Sequence, residues 1–235
     1  EGEHGTLVID NTTGAFTFTR NDGEPLTATA TFTYTLTDGD GDADTATITI
    51  SIDDKEPVVT DGSGTPPSIE PDPNNPGDNR LVVKPDGSVS EAGLPNGSNP
   101  GSGRTTTGTI TFTPGDGNNS VTLEGTPITG TGQTISTPQG EVTITEFDPV
   151  TGKIGYEYEL KTPTSGDNTT DEFDVVITDA DGDDTAVTVV IDIVDDVPVA
   201  ENDAATVDNA TNQATGNALI GPGADTKGAD DATIT

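Results

Sequence analysis

One stretch of this chain is written twice, and each copy leaves room for a single kind of local structure. Phe32 to Pro57 reads FTYTLTDGDGDADTATITISIDDKEP, and Phe173 to Pro198 reads FDVVITDADGDDTAVTVVIDIVDDVP. Both begin with apolar residues at every second position, pass through a turn crowded with aspartates, and leave through a second alternating run. A period of two sends successive side chains to opposite faces of a pleated strand, and aspartate and glycine are turn formers, so each copy is a β-hairpin. The copies stand 141 residues apart (173 − 32 = 141), the mark of a tandem array. Upstream, Gly5 to Phe18 (GTLVIDNTTGAFTF) parallels Gly140 to Tyr156 (GEVTITEFDPVTGKIGY).

The repeat divides the chain into three parts. Residues 1–57 are the C-terminal part of one module, 58–199 a complete module, and 200–235 the N-terminal part of another. A period of this length is enough for one domain with its own core. Beginning at Glu1 and stopping in an alternating run at Thr235, the chain reads as a slice of a longer array. Within the complete module, alternating segments predict strands near 81–84, 107–113, 120–124, 133–137, 141–145, 153–160, 172–178 and 185–194. Threonine fills most of the intervening positions, as suits a solvated pleated face. No window has helical periodicity. Seven or eight short strands between Gly-, Pro-, Asn- and Asp-rich turns predict an all-β fold of tandem immunoglobulin-like (cadherin-like) β-sandwich modules, without the Cys and Trp hallmarks of true immunoglobulin domains. Thr60 to Asn79, inside a Pro/Gly-rich start at 58–80, predicts an extended connector. Asn96 to Gly103 predicts a flexible loop. Beyond Glu201 the match to Pro66–Thr107 is poor, so the third module is expected to be a different subtype.

Charge decides which partners are possible. With 42 acidic residues against 8 basic ones the formal charge is −34, which repels nucleic-acid phosphates and anionic membranes and calls for a cation. No apolar run approaches the roughly 20 residues that span a bilayer, so membrane insertion is not expected. Leu, Ile, Val and Phe make up only 47 of 235 residues, at the edge of disorder for so charged a chain. Without cysteine there is no disulfide, thiolate nucleophile or Cys-based zinc site, and another staple is wanted.

The aspartate turns offer one. Asp38, Asp40, Asp42 and Asp44 crowd the first, and Asp179, Asp181, Asp183 and Asp184 its counterpart. Carboxylates about 4–5 Å apart repel by roughly 1 kcal/mol per pair in water and about 4 at an intermediate dielectric. A hard dication with six to eight oxygen ligands reverses that sign, and Ca2+ tolerates irregular hairpin geometry better than Mg2+. The plainer reading is an Asp/Gly turn with no ligand; recurrence at the same place in the next repeat favours Ca2+. An EF-hand is excluded, because the twelfth position from Asp38 is Thr49 and the flanks are strands.

A second acidic pair, Asp53 and Asp54, ends the strand leaving the turn, with Asp195 and Asp196 as its counterpart. That strand spans roughly 26 Å, too far for both clusters of one module to share an ion. The expected arrangement puts Asp179–Asp184 of the complete module against Asp53, Asp54 and Glu56 of its predecessor, with Ca2+ joining neighbouring repeats there. Glu91 is a weaker ligand near that junction; Asp195, Asp196, Glu201 and Asp203 are the analogues at the last one.

Catalysis is not expected. Glycosidase carboxylate pairs work in sugar-binding clefts with aromatic platforms, and aromatics are 4% of this chain. The lone His4 is read as a solvated side chain, Tyr34, Tyr156 and Tyr158 as strand residues in or near a core, and the five Asn-X-Ser/Thr sequons as chance. No phosphate-binding loop, nucleophile elbow or zincin motif is present.

The pair of aspartate hairpins, together with VSEAGLPNGSNPG and GNALIGPGADTKGADDATIT, resembles the tandem repeats of giant adhesins exported by type I secretion systems, the RTX and biofilm adhesins. The paired-glycine RTX nonapeptide itself is absent. The resemblance implies Ca2+-rigidified extender modules at a bacterial cell surface, folding outside the cell and projecting an adhesive tip whose ligand the sequence does not identify. Two other readings stay open: a sugar- or peptide-binding module acting through Asn96–Gly103, and an accessory module of a secreted hydrolase.

Overall fold

A computed structural model describes residues 4–21, 28–53, 55–85, 87–180, 182–219 and 224–235. The first part of the chain forms two hairpins. β1 (Gly5–Ile9) pairs with β2 (Phe16–Arg20), and β3 (Ala28–Thr37) with β4 (Ala43–Ile52).

The complete module contributes β5 (Val58–Asp61), β6 (Ser68–Pro71), β7 (Asn79–Val83), β8 (Val89–Ser90), β9 (Thr105–Thr113), β10 (Ser120–Leu123), β11 (Thr126–Pro127) and β12 (Thr134–Ser136). It continues through β13 (Gly140–Asp148), β14 (Lys153–Leu160), β15 (Asn168–Thr178) and β16 (Asp184–Val194). One sheet runs β12-β13-β14-β9-β5, the other β11-β10-β15-β16-β7-β6, with β8 also beside β16. Pairing is antiparallel except where β7 and β8 lie parallel to β16. The two sheets form an immunoglobulin-like sandwich, as the alternation predicts.

Alternation also fills the core. Ile110 and Phe112 of β9, Val142 and Ile144 of β13, and Ile154, Tyr156, Tyr158 and Leu160 of β14 face Phe173, Val175 and Ile177 of β15 and Val187, Val189, Ile191 and Ile193 of β16. Two contacts tie the sheets at the middle. The rings of Tyr156 and Phe173 meet edge to face, 5.4 Å between centroids, a favoured aromatic geometry. The Tyr158 hydroxyl donates to Asp171 Oδ2 at 2.7 Å, and the same oxygen accepts from Thr137 Oγ1 at 2.5 Å and the Gln139 amide at 3.1 Å. Burial, reinforced by Asp171, pushes the Tyr158 phenol well above its ordinary value. Asp171 is buried with its partners supplied, as a buried carboxylate must be.

Two expectations are corrected. The stretch 58–80 is no connector: β5 pairs with β9 in one sheet and β6 with β7 in the other, so it stitches both edges of the sandwich. Between them Asp61 Oδ1 accepts from the amides of Ser63 and Thr65 at 2.9 and 2.6 Å, closing a tight side-chain-capped turn. The Asn96–Gly103 loop is tied down rather than flexible. Its amides at Gly97, Asn99 and Gly101 donate to the carbonyls of Leu94, Ala92 and Gly93, and Ser90 donates to Gly103. Past Val194, the described residues hold the isolated bridges Val199–Thr226 and Asp208–Gln213. No helix among the described residues is long and apolar enough to cross a membrane.

Candidate metal centre at the aspartate turns

The two aspartate turns share one backbone design. Asp38 N–H donates to the Asp42 carbonyl at 2.9 Å, and Asp179 N–H to Asp183 at 3.0 Å. Asp38 Oδ1 then accepts from the amides of Asp40, Gly41 and Asp42 at 3.3, 3.1 and 3.0 Å. Asp179 Oδ1 accepts from Gly182 and Asp183 at 3.3 and 3.1 Å. Such a turn needs a residue at positive φ, and glycine supplies it at low cost, at +101° in Gly41 and +106° in Gly182. The first aspartate of each turn therefore has a backbone-capping role before any ligand is considered.

In the first turn three carboxylates converge. One oxygen from each of Asp38, Asp40 and Asp42 lies within 4.8 Å of the others, and all three residues are exposed. The Asp38 carboxyl is held below the usual carboxylate range, first by a hydrogen bond with the Asp40 side chain and then by the turn amides. Three hard oxygens open to water fit a cation that completes its shell with water and carbonyls, as Ca2+ does. Asp44 stands apart on β4, exposed, its carboxylate accepting from the Thr45 amide at 2.8 Å.

The second turn is built differently around its side chains. Asp179 is buried, Asp183 half-buried and Asp184 exposed, while Asp181 lies outside the described residues. This turn lies beside main chain of the incoming tail. Thr185 Oγ1 donates to the Pro57 carbonyl at 2.6 Å. A Cβ placed on Gly115 would sit 2.4 Å from Asp179 Oδ2 and 2.8 Å from the Lys55 carbonyl oxygen. What the tail presents to the turn is thus main-chain carbonyl; Asp53 and Glu56 are exposed, and Asp54 lies outside the described residues.

The last cluster changes most. At strict 141-residue spacing Asp54 corresponds to Asp195, but Asp196 corresponds to Lys55 (196 − 55 = 141), so the acidic pairs are out of step by one. Asp196 is buried with both oxygens engaged, accepting from the Ser98 amide at 2.7 Å and Ser98 Oγ at 2.5 Å. Asp195 is half-buried. Glu91 is at this end, not at the junction with the preceding part: Ser90 pairs with Val194 in the parallel ladder. It is fully buried. Its Oε1 accepts from Thr164 N and Oγ1, both at 2.7 Å, while Oε2 has no hydrogen-bond partner. Glu201 and Asp203 are exposed, and the Glu201 amide donates to Asp225 Oδ1 at 2.8 Å. Sequence reasoning missed the Ser98–Asp196 clamp, which joins residues far apart in the chain with no periodic signal between them.

Elsewhere, Arg80, Arg104, Lys153 and Lys161 form ion pairs with Glu172, Glu159, Glu146 and Glu141 of the sheets. These four described basic residues are thereby engaged with strand glutamates.

A family model described as a bacterial Ig domain matches residues 1–51, the stretch that holds β1 to β4. The match supports an Ig-like repeat in this part of the chain. No curated protein matches. Among solved structures, an endo-fucoidan hydrolase of glycoside hydrolase family 107 is similar at 15% identity, covering 83% of this chain and 22% of that one, with a TM-score of 0.28. A likeness that loose carries no argument about activity.

Proposed function

We propose that this chain is a run of Ca2+-stabilised extender repeats from a secreted bacterial surface adhesin, holding a distal adhesive region away from the cell and serving adhesion and biofilm formation. The observation that carries the reading is the convergence of Asp38, Asp40 and Asp42 at the tip of a hairpin that the chain repeats 141 residues later. The short passage between modules supports it as well: β4 ends at Ile52 and β5 starts at Val58, and β16 ends at Val194 just before the paired Val199. Four or five residues leave little slack. The chain is read as non-enzymatic from its composition, with no cysteine, one histidine and few aromatics.

Extracellular calcium modules bind with Kd of about 10⁻⁴ to 10⁻³ M. In millimolar Ca2+ a site at the tight end adds about 1.4 kcal/mol. Several such sites matter for a chain so poor in large apolar residues. The test is a Ca2+ titration of the full chain followed by thermal melting and small-angle scattering, beside the triple variant Asp38→Asn, Asp40→Asn, Asp42→Asn. A rise in Tm and a stiffer particle, both reduced in the variant, are expected. No change in either quantity on adding Ca2+ sinks the proposal.

A further inference from the structure

The passage from the complete module into the next one is clamped from both sides at a single residue. On the near side, the Asp196 carboxylate is held by Ser98 N and Oγ. On the far side, Gly228 lies over the Asp196 backbone: a Cβ on Gly228 would stand 2.1 Å from the Asp196 carbonyl oxygen, and its φ is +81°. Just beyond, Ala229 is buried and joins the core cluster of the complete module. Val199 and Thr226 exchange two main-chain hydrogen bonds, at 2.9 and 2.8 Å.

The same arrangement occurs one repeat earlier. Val58 pairs with Thr113 in the β5–β9 ladder, and Val199, its counterpart (199 − 58 = 141), pairs with Thr226. Two residues after each threonine comes a glycine, Gly115 or Gly228, seated against the carbonyl of Lys55 or Asp196, which are themselves one repeat apart. The intervening chain is not conserved in length: 55 residues separate Val58 from Thr113 (113 − 58 = 55), and 27 separate Val199 from Thr226 (226 − 199 = 27).

From this we infer that Thr-X-Gly at the end of a module's second joint-forming segment is a docking key that seats each module on the linker of its predecessor, so that modules of unequal length share one joint. The partner surface is the linker carbonyl at position 55 or 196, and the third residue of the key must lack a side chain. A Cβ there collides with that carbonyl and forces the joint open. The inference rests on the extender reading, in which the angle between modules matters. It assigns that angle at Asp196 to contacts of the protein itself, since Ser98 already engages both carboxylate oxygens.

Native-state amide exchange by NMR reads the joint directly, through the Val199 and Thr226 N–H groups, with Val175 and Val189 reporting the sandwich. The full chain is compared with Gly228→Val, Asp196→Ala and the control Gly130→Val, each in Ca2+ and in EDTA; Gly130 has open space around its Cβ position. Expected is protection of Val199 and Thr226 in the unmodified chain and the control in both buffers. Both variants should lose that protection while the Val175 and Val189 signals keep theirs. Equal protection of the two joint amides in Gly228→Val and the unmodified chain overturns the inference. Protection that appears in Ca2+ alone and survives both substitutions also overturns it, and leaves the Ca2+ reading standing.

Discussion

The hairpins β3–β4 and β15–β16 are near-copies in sequence and opposites in environment. Phe173, Val175 and Ile177 are at most 1% exposed. Their counterparts one repeat earlier are Phe32, half-buried, Tyr34 at 40% and Leu36 at 72% exposure. Both hairpins keep full antiparallel registers of ten and eleven residue pairs, and both turns keep the same capping aspartate. Strand and turn are therefore settled locally, by alternation and by Asp-to-amide bonds. Burial is settled by the remaining strands, which cover β15 and β16 and have no counterparts over β3 and β4 among the described residues. The same division separates Asp38 from Asp179: only the second is enclosed, by Gly115 and the incoming linker.

The comparison breaks most visibly at its core positions. Ile177→Ala should destabilise the complete module by about 2–5 kcal/mol, the usual range for a buried large-to-small change, while Leu36→Ala should stay within about 0.5 kcal/mol. Chemical denaturation of the full chain measures both, and equal losses would erase the distinction. Next comes Asp171, whose repeat counterpart is Ala30 (171 − 30 = 141). Asp171→Ala leaves four donors without their acceptor, the buried Tyr158 hydroxyl and the part-buried Thr137 hydroxyl and Gln139 and Glu172 amides, and should cost about 3 kcal/mol, against about 1 for Tyr158→Phe, which removes one of them. If Tyr158→Phe costs as much as Asp171→Ala, the carboxylate is not the hub.

The smallest effect is the pH response of the exposed turn. Because Asp38 is held below its ordinary value in the folded hairpin, its contribution is present at neutral pH, above the unfolded value, and is lost as pH falls through the folded one. The Gly41 and Asp42 amide shifts should move together in that acid window, below the usual aspartate range. Asp38→Asn should abolish the shared step. Independent midpoints for the two amides would mean that Asp38 does not cap them.

Most of the fold was legible because apolar and polar residues alternate so regularly: threonine fills most polar positions of β3, β4 and β9, and Glu or Thr most of those of β13 and β14. β5 and β6 escaped because each is four residues long and five prolines sit between Thr60 and Asn79, masking the single buried Val59. The aspartate turns were legible as hairpin tips, and in the first of them Asp38, Asp40 and Asp42 converge. Their inner division was not: Asp38 and Asp179 spend an oxygen on backbone amides, and Asp44 and Asp184 belong to the outgoing strands. The Asp196 clamp was hidden for a different reason. Its partners, Ser98 and Gly228, lie in a loop rich in Asn and Ser and in a segment that falls out of the 141-residue register, so only the folded chain places them together.

The parallel pairing of β7 and β8 with β16 has a mechanical consequence. Tension applied along the chain draws β7 and β8 toward the entry of the module and β16 toward its exit, so neighbouring strands are asked to slide past one another. Val82 and Val83 against Thr188 and Val189, and Val89 and Ser90 against Ile193 and Val194, then bear load in shear, and slanted, evenly spaced bonds must yield together rather than unzip singly. Single-molecule pulling should show a force peak that falls sharply in Val83→Pro or Val89→Pro, which place a proline in the sliding strands, and that barely moves in Ile69→Pro, on the outer strand β6.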